Sequence, residues 1–455
     1  MIWRALFWVF LLLVILDGAL RKWVFPQQGD LVYVAKDGVI AVAALLCFVQ
    51  RGPRLPDNLR QTWLPAWLTL YLLWAVVSCF NPHLPATAVS LLGFRSHVLY
   101  ASLLFLAPVA FAVDTDNEKL LRVVARFALW LVAPILLFGA YQYFHPVDSW
   151  VNRYAVETKL SDIATAGTLG RARITGTFPY ITGMATFIIL NIGVGLGLVL
   201  GAFRFGGKQL RLGALILALA VTVAPMTGSR ATLYLPALAL PVLLFQAMTG
   251  EALRRYAATT ALVCGLFLVF VSNTSLSQGW VSFGERVQEA GDTRGRVDAL
   301  VRGPIQHIKE GGWLGFGAGA THQAAPRLVQ STTPYEWLPT TDFEEENGRI
   351  ALELGVVGLV FYLGVKLTLL RLAIQASGRA ESAAEALIGS VGVVFLGSHL
   401  FVSVVFNPVA AAFYWTISGT VIALWSRQAR RAASRRVRRT APRELAIAPP
   451  APVAG

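Results

Sequence analysis

Residues 341–358 read TDFEEENGRIALELGVVG, and this stretch determines how the rest of the chain is interpreted. A run of carboxylates between Asp342 and Glu346 ends at Asn347, and a hydrophobic segment follows at once. Ionised carboxylates are costly in hydrocarbon, so the stretch is expected to mark the point where a membrane helix meets water. A polar cluster at the mouth of a helix bundle is well placed to act on a substrate held in the bilayer.

The composition is that of a membrane protein. Of 455 residues, 56% are hydrophobic and 14% are charged. The apolar residues fall in blocks of about 20, the length that crosses a bilayer as a helix, and the alternating pattern of transmembrane barrels does not occur. We therefore predict an all-α, polytopic integral membrane protein with about 12 transmembrane helices and a large loop on the outer side between helices 9 and 10.

Cysteine usage and charge exclude other classes of protein. Cys47, Cys79 and Cys264 lie inside apolar blocks, which favours packing over disulfides or metal binding. The net charge is +14, but the basic residues flank apolar blocks and fill the tail, a pattern of cytoplasmic flanks that does not indicate nucleic acid. The first apolar block runs into DGALRKW without a small-residue cleavage site, so no cleavable signal is expected.

Basic connections orient the predicted spans. They fall on alternate sides of the membrane, on the same side as the tail sequence RQARRAASRRVRR. The positive-inside rule makes this side cytoplasmic and places both termini inside. The candidate spans are 4–24, 31–50, 62–80, 89–112, 125–144, 178–203, 212–228, 231–248, 256–273, 348–372, 386–406 and 408–426.

Four parts follow from these spans: helices 1–9 in 1–273, a large loop in 274–347, helices 10–12 in 348–427, and a tail in 428–455. The loop is rich in Gly, Thr and Pro, and its pattern is weakly helical around 294–310. It has too little apolar content for a sizeable core, so we expect it to fold over the bundle mouth. The tail is basic and then Ala/Pro-rich, and is expected to be disordered or to lie on anionic lipid.

Charged residues inside the first two spans need partners. Asp17, Arg21 and Lys22 close the first span, and Lys36 with Asp37 interrupts the second. Two interpretations remain open: the two helices pair through these residues, or the residues line a polar cavity.

Arginines at the outer ends of the spans are candidate ligands for phosphate. Arg95 lies in FRSHVLY, Arg173 in GRARITGTFPY and Arg230 in TGSRATLY. The guanidinium stays charged and its fork suits phosphate. The alternative for each is an interfacial arginine that reaches the lipid headgroups, although the positive-inside rule disfavours arginine on this side.

The large loop adds a fourth candidate, Arg296, upstream of the Gly-rich run GGWLGFGAG. This run is a weak phosphate-loop signal because no GK[ST] follows it, and a turn that packs the loop explains it better.

Glu344, Glu345 and Glu346 are the candidate catalytic carboxylates. A carboxylate beside a substrate hydroxyl acts as a general base. The alternative is a solvated loop end whose negative charges complement the N-terminus of the following helix.

Five stretches in order resemble the O-antigen ligase/polymerase family of bacterial membrane glycosyltransferases. They are DGALRKW with YVAKD, RITGTFPYITG, TGSRATLY, RVDAL followed by GGWLGFGAG, and ENGRIALELGVVGL, across most of residues 15–370. The resemblance implies an enzyme of the bacterial inner membrane that moves glycan from an undecaprenyl diphosphate carrier on the periplasmic side. It also implies that Arg173 and Arg230, which match family motifs, hold the carrier diphosphate.

The sequence departs from the family pattern at one point, and this point distinguishes ligases from polymerases within the family. Ligases of the family carry a histidine near the end of the large loop, shortly before a Gly-x-x-Gly-type ending. Counting back from Gly355 and Gly358 reaches Glu344 or Glu346, and the nearest histidine, His322, lies well upstream. This favours a polymerase of O-antigen or exopolysaccharide over a ligase that joins O-antigen to lipid A–core.

The expected chemistry needs no cofactor. The sequence has no metal-ligand cluster, arginines replace the cation, and a single displacement at the anomeric carbon inverts its configuration. The expected partners are a lipid-linked oligosaccharide, membrane lipid, a flippase and a chain-length regulator, without nucleic acid. The alternative from a different class is a transporter or lipid-glycan flippase. Twelve spans agree with this alternative, but the long loop and the arginines on the outer side agree with it less well.

Overall fold

The computed structural model describes residues 2–111, 117–155, 164–166, 170–247, 276–289, 293–331, 333–341 and 345–440. Helices dominate these residues, and the strands β1 (Thr165–Ala166) and β2 (Arg171–Ala172) form a short antiparallel pair. The α-helices are α1 (Ile2–Ala19), α2 (Gly29–Arg51), α3 (Leu64–Ser78), α4 (Thr87–His97), α5 (Leu103–Ala110), α6 (Asn117–Phe127), α7 (Ala133–Phe144), α8 (Ile181–Phe205), α9 (Gln209–Val223), α10 (Ala231–Ala247), α11 (Ser277–Glu289), α12 (Thr293–Gly311), α13 (Ala325–Val329), α14 (Glu346–Gly378), α15 (Ala383–Ser398) and α16 (Pro408–Thr440).

Eight helical stretches among the described residues are long and apolar enough to cross a membrane, as expected for a polytopic protein. Three shorter apolar helices match further predicted spans, while the ninth predicted span, 256–273, lies outside the described residues. The eight stretches are Ile2–Val24, Pro26–Arg51, Thr87–Ala110, Lys119–Phe144, Ile181–Phe205, Gln209–Thr227, Glu346–Gly378 and Pro408–Arg435, and the shorter ones are Leu64–Ser78, Ala231–Gln246 and Ala383–Ser398.

α8 packs tightly against two neighbours because it carries small residues on two faces. Gly193, Gly197 and Gly201 are spaced by four residues and face α15, where a Cβ on Gly197 would lie 3.0 Å from Leu387 Cα. A Cβ on Gly195 would lie 2.9 Å from the backbone of α9. Small residues allow this close approach and strengthen helix association in membranes.

α14 consists of two helices that fold back on each other at Gly355. This glycine has φ 66° and ψ −173°, values that interrupt the helix. Glu346 and Lys366 would be about 30 Å apart along an unbroken helix. Instead the Lys366 Nζ lies 2.5 Å from the Glu346 carboxylate. Residues 346–354 therefore fold back against the bundle. The prediction of one continuous tenth span from 348 to 372 was wrong in this respect, because its first residues form a separate short helix.

The two ends of the bundle are distinguished by their contacts. At the tail end, Asn58 Nδ2 donates to the Ser426 carbonyl and Arg427 pairs with Glu385. At the loop end, to which α1 leads, Lys22 contacts Thr175. The candidate residues described below lie at the loop end.

α16 differs from the sequence prediction in its length. The tail from 428 was expected to be disordered or to lie on anionic lipid, but the helix continues to Thr440. Ion pairs explain the order of this segment, because Arg431 and Arg435 pair with Glu385 and Glu381. Residues 441–455 lie outside the described residues.

Candidate functional site

The charged residues of the first two spans pair with one another at the loop end. Lys36 Nζ lies 2.5 Å from Asp17 Oδ2, and Arg21 Nη1 lies 3.9 Å from the same oxygen. All three side chains are buried. Their pairing offsets the cost of placing these charges in a low dielectric. Of the two interpretations left open by the sequence, pairing between the helices is the one observed for Asp17 and Lys36.

Arg95 belongs to the same network. Its guanidinium is ion-paired with Asp37, and the Tyr100 hydroxyl donates to the other Asp37 oxygen at 2.7 Å. The guanidinium also lies 4.4 Å from the centre of the Tyr33 ring, and the Lys36 ammonium lies 4.5 Å from it. Arg95 is therefore an oriented cation that already has one counter-ion.

Lys22 joins the first resemblance stretch to the second. Its Nζ donates to Thr175 Oγ1 at 2.6 Å and to the Gly176 carbonyl at 3.1 Å. The backbone nitrogen of Ala19 donates to the Thr177 carbonyl at 2.8 Å. Both acceptors of Lys22 are neutral, so these contacts hold the buried ammonium in place without cancelling its charge.

Arg173 and Arg230 come from segments that pair through the backbone. Arg173 Nε donates to the Thr227 carbonyl at 2.7 Å, and the Ile174 nitrogen donates to the Met226 carbonyl at 3.2 Å. Arg230 follows three residues after Thr227 and is half-buried. Its side chain makes no hydrogen bond or ion pair with any residue that the structure describes. The RITGTFPY and TGSRATLY stretches thus lie side by side, as a shared site requires.

Glu353 fastens the Gly-rich run to the bundle. Its oxygens accept from the Gly319 nitrogen at 2.9 Å, the Thr321 nitrogen at 2.9 Å and Thr321 Oγ1 at 2.6 Å. His97 Nε2 lies 2.9 Å from the same carboxylate, and His97 Nδ1 lies 2.9 Å from the Tyr71 hydroxyl. Glu353 is fully buried. The run is therefore the packing turn that the sequence favoured over a phosphate loop.

Arg349 lies one turn before Glu353 and binds the same segment. Its Nη2 donates to the Thr321 carbonyl at 2.7 Å, and its Nε donates to Thr321 Oγ1 at 3.1 Å. Its guanidinium also lies 3.7 Å from the centre of the Phe406 ring. Sequence reasoning missed Glu353 and Arg349. The available signal was their spacing from Glu346, because residues at i, i+3 and i+7 share one face of a helix.

His322 directly follows the segment that Arg349 and Glu353 hold. Burial and the positive charges of Arg95 and Arg349 lower the pKa of His322 to about 4. Its Nδ1 accepts a hydrogen bond from the Ala324 nitrogen at 3.1 Å. A neutral ring that accepts at Nδ1 carries its proton on Nε2, so His322 is set up to donate a hydrogen bond.

Cations outnumber carboxylates among these buried groups of the loop end. The three carboxylates face five cationic side chains in the described part of the chain, of which four are buried and Arg95 is half-buried. Such an excess in a region of low dielectric attracts an anion. The carboxylates are Asp17, Asp37 and Glu353, and the cations are Arg21, Lys22, Lys36, Arg95 and Arg349.

The three candidate catalytic carboxylates lie in different settings. Glu346 is buried and accepts from Lys366 Nζ at 2.5 Å, the Tyr362 hydroxyl at 2.6 Å and the Val405 nitrogen at 2.7 Å. These contacts favour a structural role for Glu346. Glu345 packs near α12, since a Cβ on Gly303 would lie 3.2 Å from its Oε2. Glu344 lies outside the described residues.

Arg296 lies on α12, and its side chain is outside the described part of the structure. Among the residues that are described, no group of three or more His, Cys, Asp or Glu side chains is arranged to hold a metal ion.

An apolar cavity of about 180 Å³ lies between the spans. It is lined mainly by large hydrophobic side chains, among them Trp8, Phe187 and Phe413, and none of the candidate site residues lines it. The chemistry of the candidate site therefore belongs to the charged loop end and not to this cavity.

No family model matches the chain, and no curated protein matches it.

Proposed function

We propose that the protein is a polymerase of O-antigen or exopolysaccharide repeat units that uses a diphosphate-linked lipid donor. One observation carries the proposal. Stretches far apart in sequence meet at the loop end, where buried cations outnumber carboxylates. DGALRKW contacts YVAKD and RITGTFPY, and RITGTFPY contacts TGSRATLY. GGWLGFGAG contacts ENGRIALELG, and α4 joins the two groups through Arg95 and His97. A site that binds a lipid-linked diphosphate needs this combination of positive charge and proximity to the membrane.

The cations have a defined part in the proposed reaction. The acceptor hydroxyl oxygen attacks the anomeric carbon, the bond from that carbon to the phosphate oxygen breaks, and the diphosphate leaves on its lipid. Arg173 and Arg230 stabilise the charge that develops on the leaving group, an electrostatic contribution of the oxyanion-hole type. Because the attack occurs opposite the leaving group, the configuration of the sugar inverts.

The proton of the acceptor hydroxyl passes to a carboxylate. Glu344 and Glu345 are the proposed bases, since the Glu346 carboxylate is already bound to Lys366 and Tyr362. The proposal includes twelve spans and a loop end that faces the periplasm of a bacterial inner membrane, an orientation supported by the basic connections at the opposite end.

A ligase is the second candidate, because His322 lies close enough to Arg95 and Arg349 for both to act on its pKa. A ligase of the resembled family would use a histidine near the end of the large loop, and His322 is the nearest histidine, although it lies well upstream of that place. The polymerase remains preferred because the hydrogen bond from Ala324 occupies the Nδ1 lone pair that a base would use.

Purified protein with lipid-linked repeat units tests the function directly. Longer glycan on the carrier is the result expected for a polymerase. Transfer to lipid A–core would instead establish a ligase, and the absence of any covalent change would favour a transporter or flippase.

Lysine variants test the proposed diphosphate site. Arg173→Lys and Arg230→Lys should each lower polymer formation roughly tenfold to a hundredfold, because lysine keeps the charge but loses the two-point fork. Arg153→Lys, at an exposed arginine on the connection that precedes β1, is the matched control. Near wild-type glycan length in the first two variants, at equal membrane levels, would show that these arginines are only interfacial.

A further inference from the structure

The tail end carries a groove whose lining is almost entirely arginine. Its volume is about 380 Å³, and the side chains around it are those of Arg427, Arg430, Arg431, Arg435 and Ser434. All five follow residue 426, where the predicted twelfth span, 408–426, ends. The proposed glycan transfer at the loop end uses none of them.

Three of the arginines are held in fixed positions. Arg427, Arg431 and Arg435 are spaced by four residues, so they form one stripe along the helix. Arg427 Nη2 and Arg431 Nη1 lie 2.6 Å and 2.7 Å from Glu385 Oε1, and Arg435 donates to both oxygens of Glu381 at 2.7 Å and 3.1 Å. These ion pairs dock the helix extension against the start of α15.

The second stripe carries the unneutralised charge. Arg430 and Ser434 are also spaced by four residues and are exposed. Arg430 has no ion-pair partner within the described residues. Four guanidinium groups thus face two carboxylates, Glu381 and Glu385, and two positive charges remain at the groove.

The location of the groove limits what can bind there. Trp425 and Ser426 immediately precede it and are packed in the bundle, where they contact Gln375 and Asn58. Arg427 follows Ser426 directly, and the next residue, Gln428, is still buried and donates to the Ala376 carbonyl. The arginines therefore lie where α16 leaves the bundle. A helix that leaves the membrane in this way places its first turns among the lipid headgroups.

We propose that this groove binds the phosphate of an anionic phospholipid in the leaflet at the tail end. Guanidinium forks match phosphate oxygens in pairs, and the net charge of the groove complements the lipid. The ion pairs with Glu381 and Glu385 keep the arginines oriented before the lipid arrives, which lowers the entropic cost of binding.

The test uses the full chain in a neutral detergent, titrated with dioctanoyl phosphatidylglycerol, dioctanoyl phosphatidylcholine or inorganic phosphate, with binding followed by thermophoresis. The anionic lipid should bind and the zwitterionic lipid should not. Arg430→Gln should weaken binding about fivefold, as expected for one arginine near an anionic surface. Arg379→Gln, at an exposed arginine of the same end that does not line the groove, should leave binding unchanged.

Three outcomes would overturn the proposal. Equal binding of the two lipids would mean that the headgroup charge is not recognised. Binding of inorganic phosphate as tight as that of the anionic lipid would indicate a site for a free anion. Unchanged lipid binding in the double variant Arg430→Gln/Arg435→Gln would show that diffuse basic charge, and not this groove, attracts the lipid.

Discussion

At the scale of single residues, the environment of Glu346 decides what its carboxylate does. In the sequence analysis, its negative charge and its position at the end of the large loop made Glu346 a candidate general base. In the folded chain it is buried against Lys366, Tyr362 and the backbone of residues 404–405. A base must give up its hydrogen bonds to accept a proton, and these partners resist that change.

Removing the Glu346 charge should therefore unfold the protein more readily. Glu346→Gln leaves the Lys366 ammonium buried without its carboxylate, which typically costs about 3–5 kcal/mol. Thermal unfolding in detergent measures this loss. The double variant Glu346→Gln/Lys366→Met should recover most of it, because no buried charge remains unpaired. Wild-type stability of the single variant would contradict the structural role.

Glu345 and Glu344 should respond in the opposite way. Each Gln variant keeps the size of the side chain, so the free energy of unfolding should change little. Loss of a general base lowers the rate by about 10²–10⁴, and we expect this loss for one of the two. Polymer formation at equal membrane levels measures it. If both variants were active, the base would have to be sought elsewhere.

His322 should make the folded state sensitive to acid. Its pKa lies near 4 in the folded protein, below the ordinary value of about 6.5 in the unfolded chain. The unfolded chain therefore binds the proton more readily, and stability is lost as the pH falls from about 6.5 to about 4. His322→Gln should flatten this part of the melting temperature profile relative to wild type. Parallel profiles would show that the histidine does not titrate in this window.

At the scale of elements, the reversal at Gly355 positions the charged residues of α14. The short helix 346–354 carries Arg349 and Glu353 back to the segment that ends at Thr321. A straight helix would project the same residues away from the bundle. The site thus depends on a single backbone conformation that glycine adopts readily.

Gly355→Ala should disrupt this hairpin. Its φ of 66° is unfavourable for alanine, at a cost of about 1–3 kcal/mol, and the new Cβ would lie 2.2 Å from the Trp313 carbonyl oxygen. Melting temperature and polymer formation should both fall. Gly38→Ala is the control, because nothing lies within 4 Å of a Cβ at that helical position. Equal behaviour of the two variants would refute the importance of the reversal.

At the scale of the whole molecule, the orientation in the membrane can be tested by fusions. A reporter inserted within 274–347 should be periplasmic, and one placed after Arg443 should be cytoplasmic. The reason is the concentration of arginines at the tail end, which the positive-inside rule keeps in the cytoplasm. Activity of both reporters on the same side would exclude an odd number of spans between them, and with it the three spans that the twelve-span arrangement places there.

The membrane class and most of the helices could be predicted from the sequence. Apolar blocks of about 20 residues predict spans because the bilayer requires each segment to satisfy its own backbone hydrogen bonds, a local property. Pairing between the first two helices, seen for Asp17 and Lys36, was one of the two interpretations that the sequence left open. It was predictable because a buried charge needs a partner of opposite sign. The packing role of the Gly-rich run was also favoured for a local reason, the absence of GK[ST].

Tertiary structure alone decided the hairpin of α14 and the roles of its charges. The apolar run after Asn347 has the length and composition of one continuous span. The reversal at Gly355 depends on the close approach of the Trp313 backbone, and Trp313 is distant in sequence. Likewise, the order of residues 428–440 depends on Glu381 and Glu385. The composition of a segment indicates whether that segment favours water or lipid. The partner that neutralises a charge is known only once distant segments have come together.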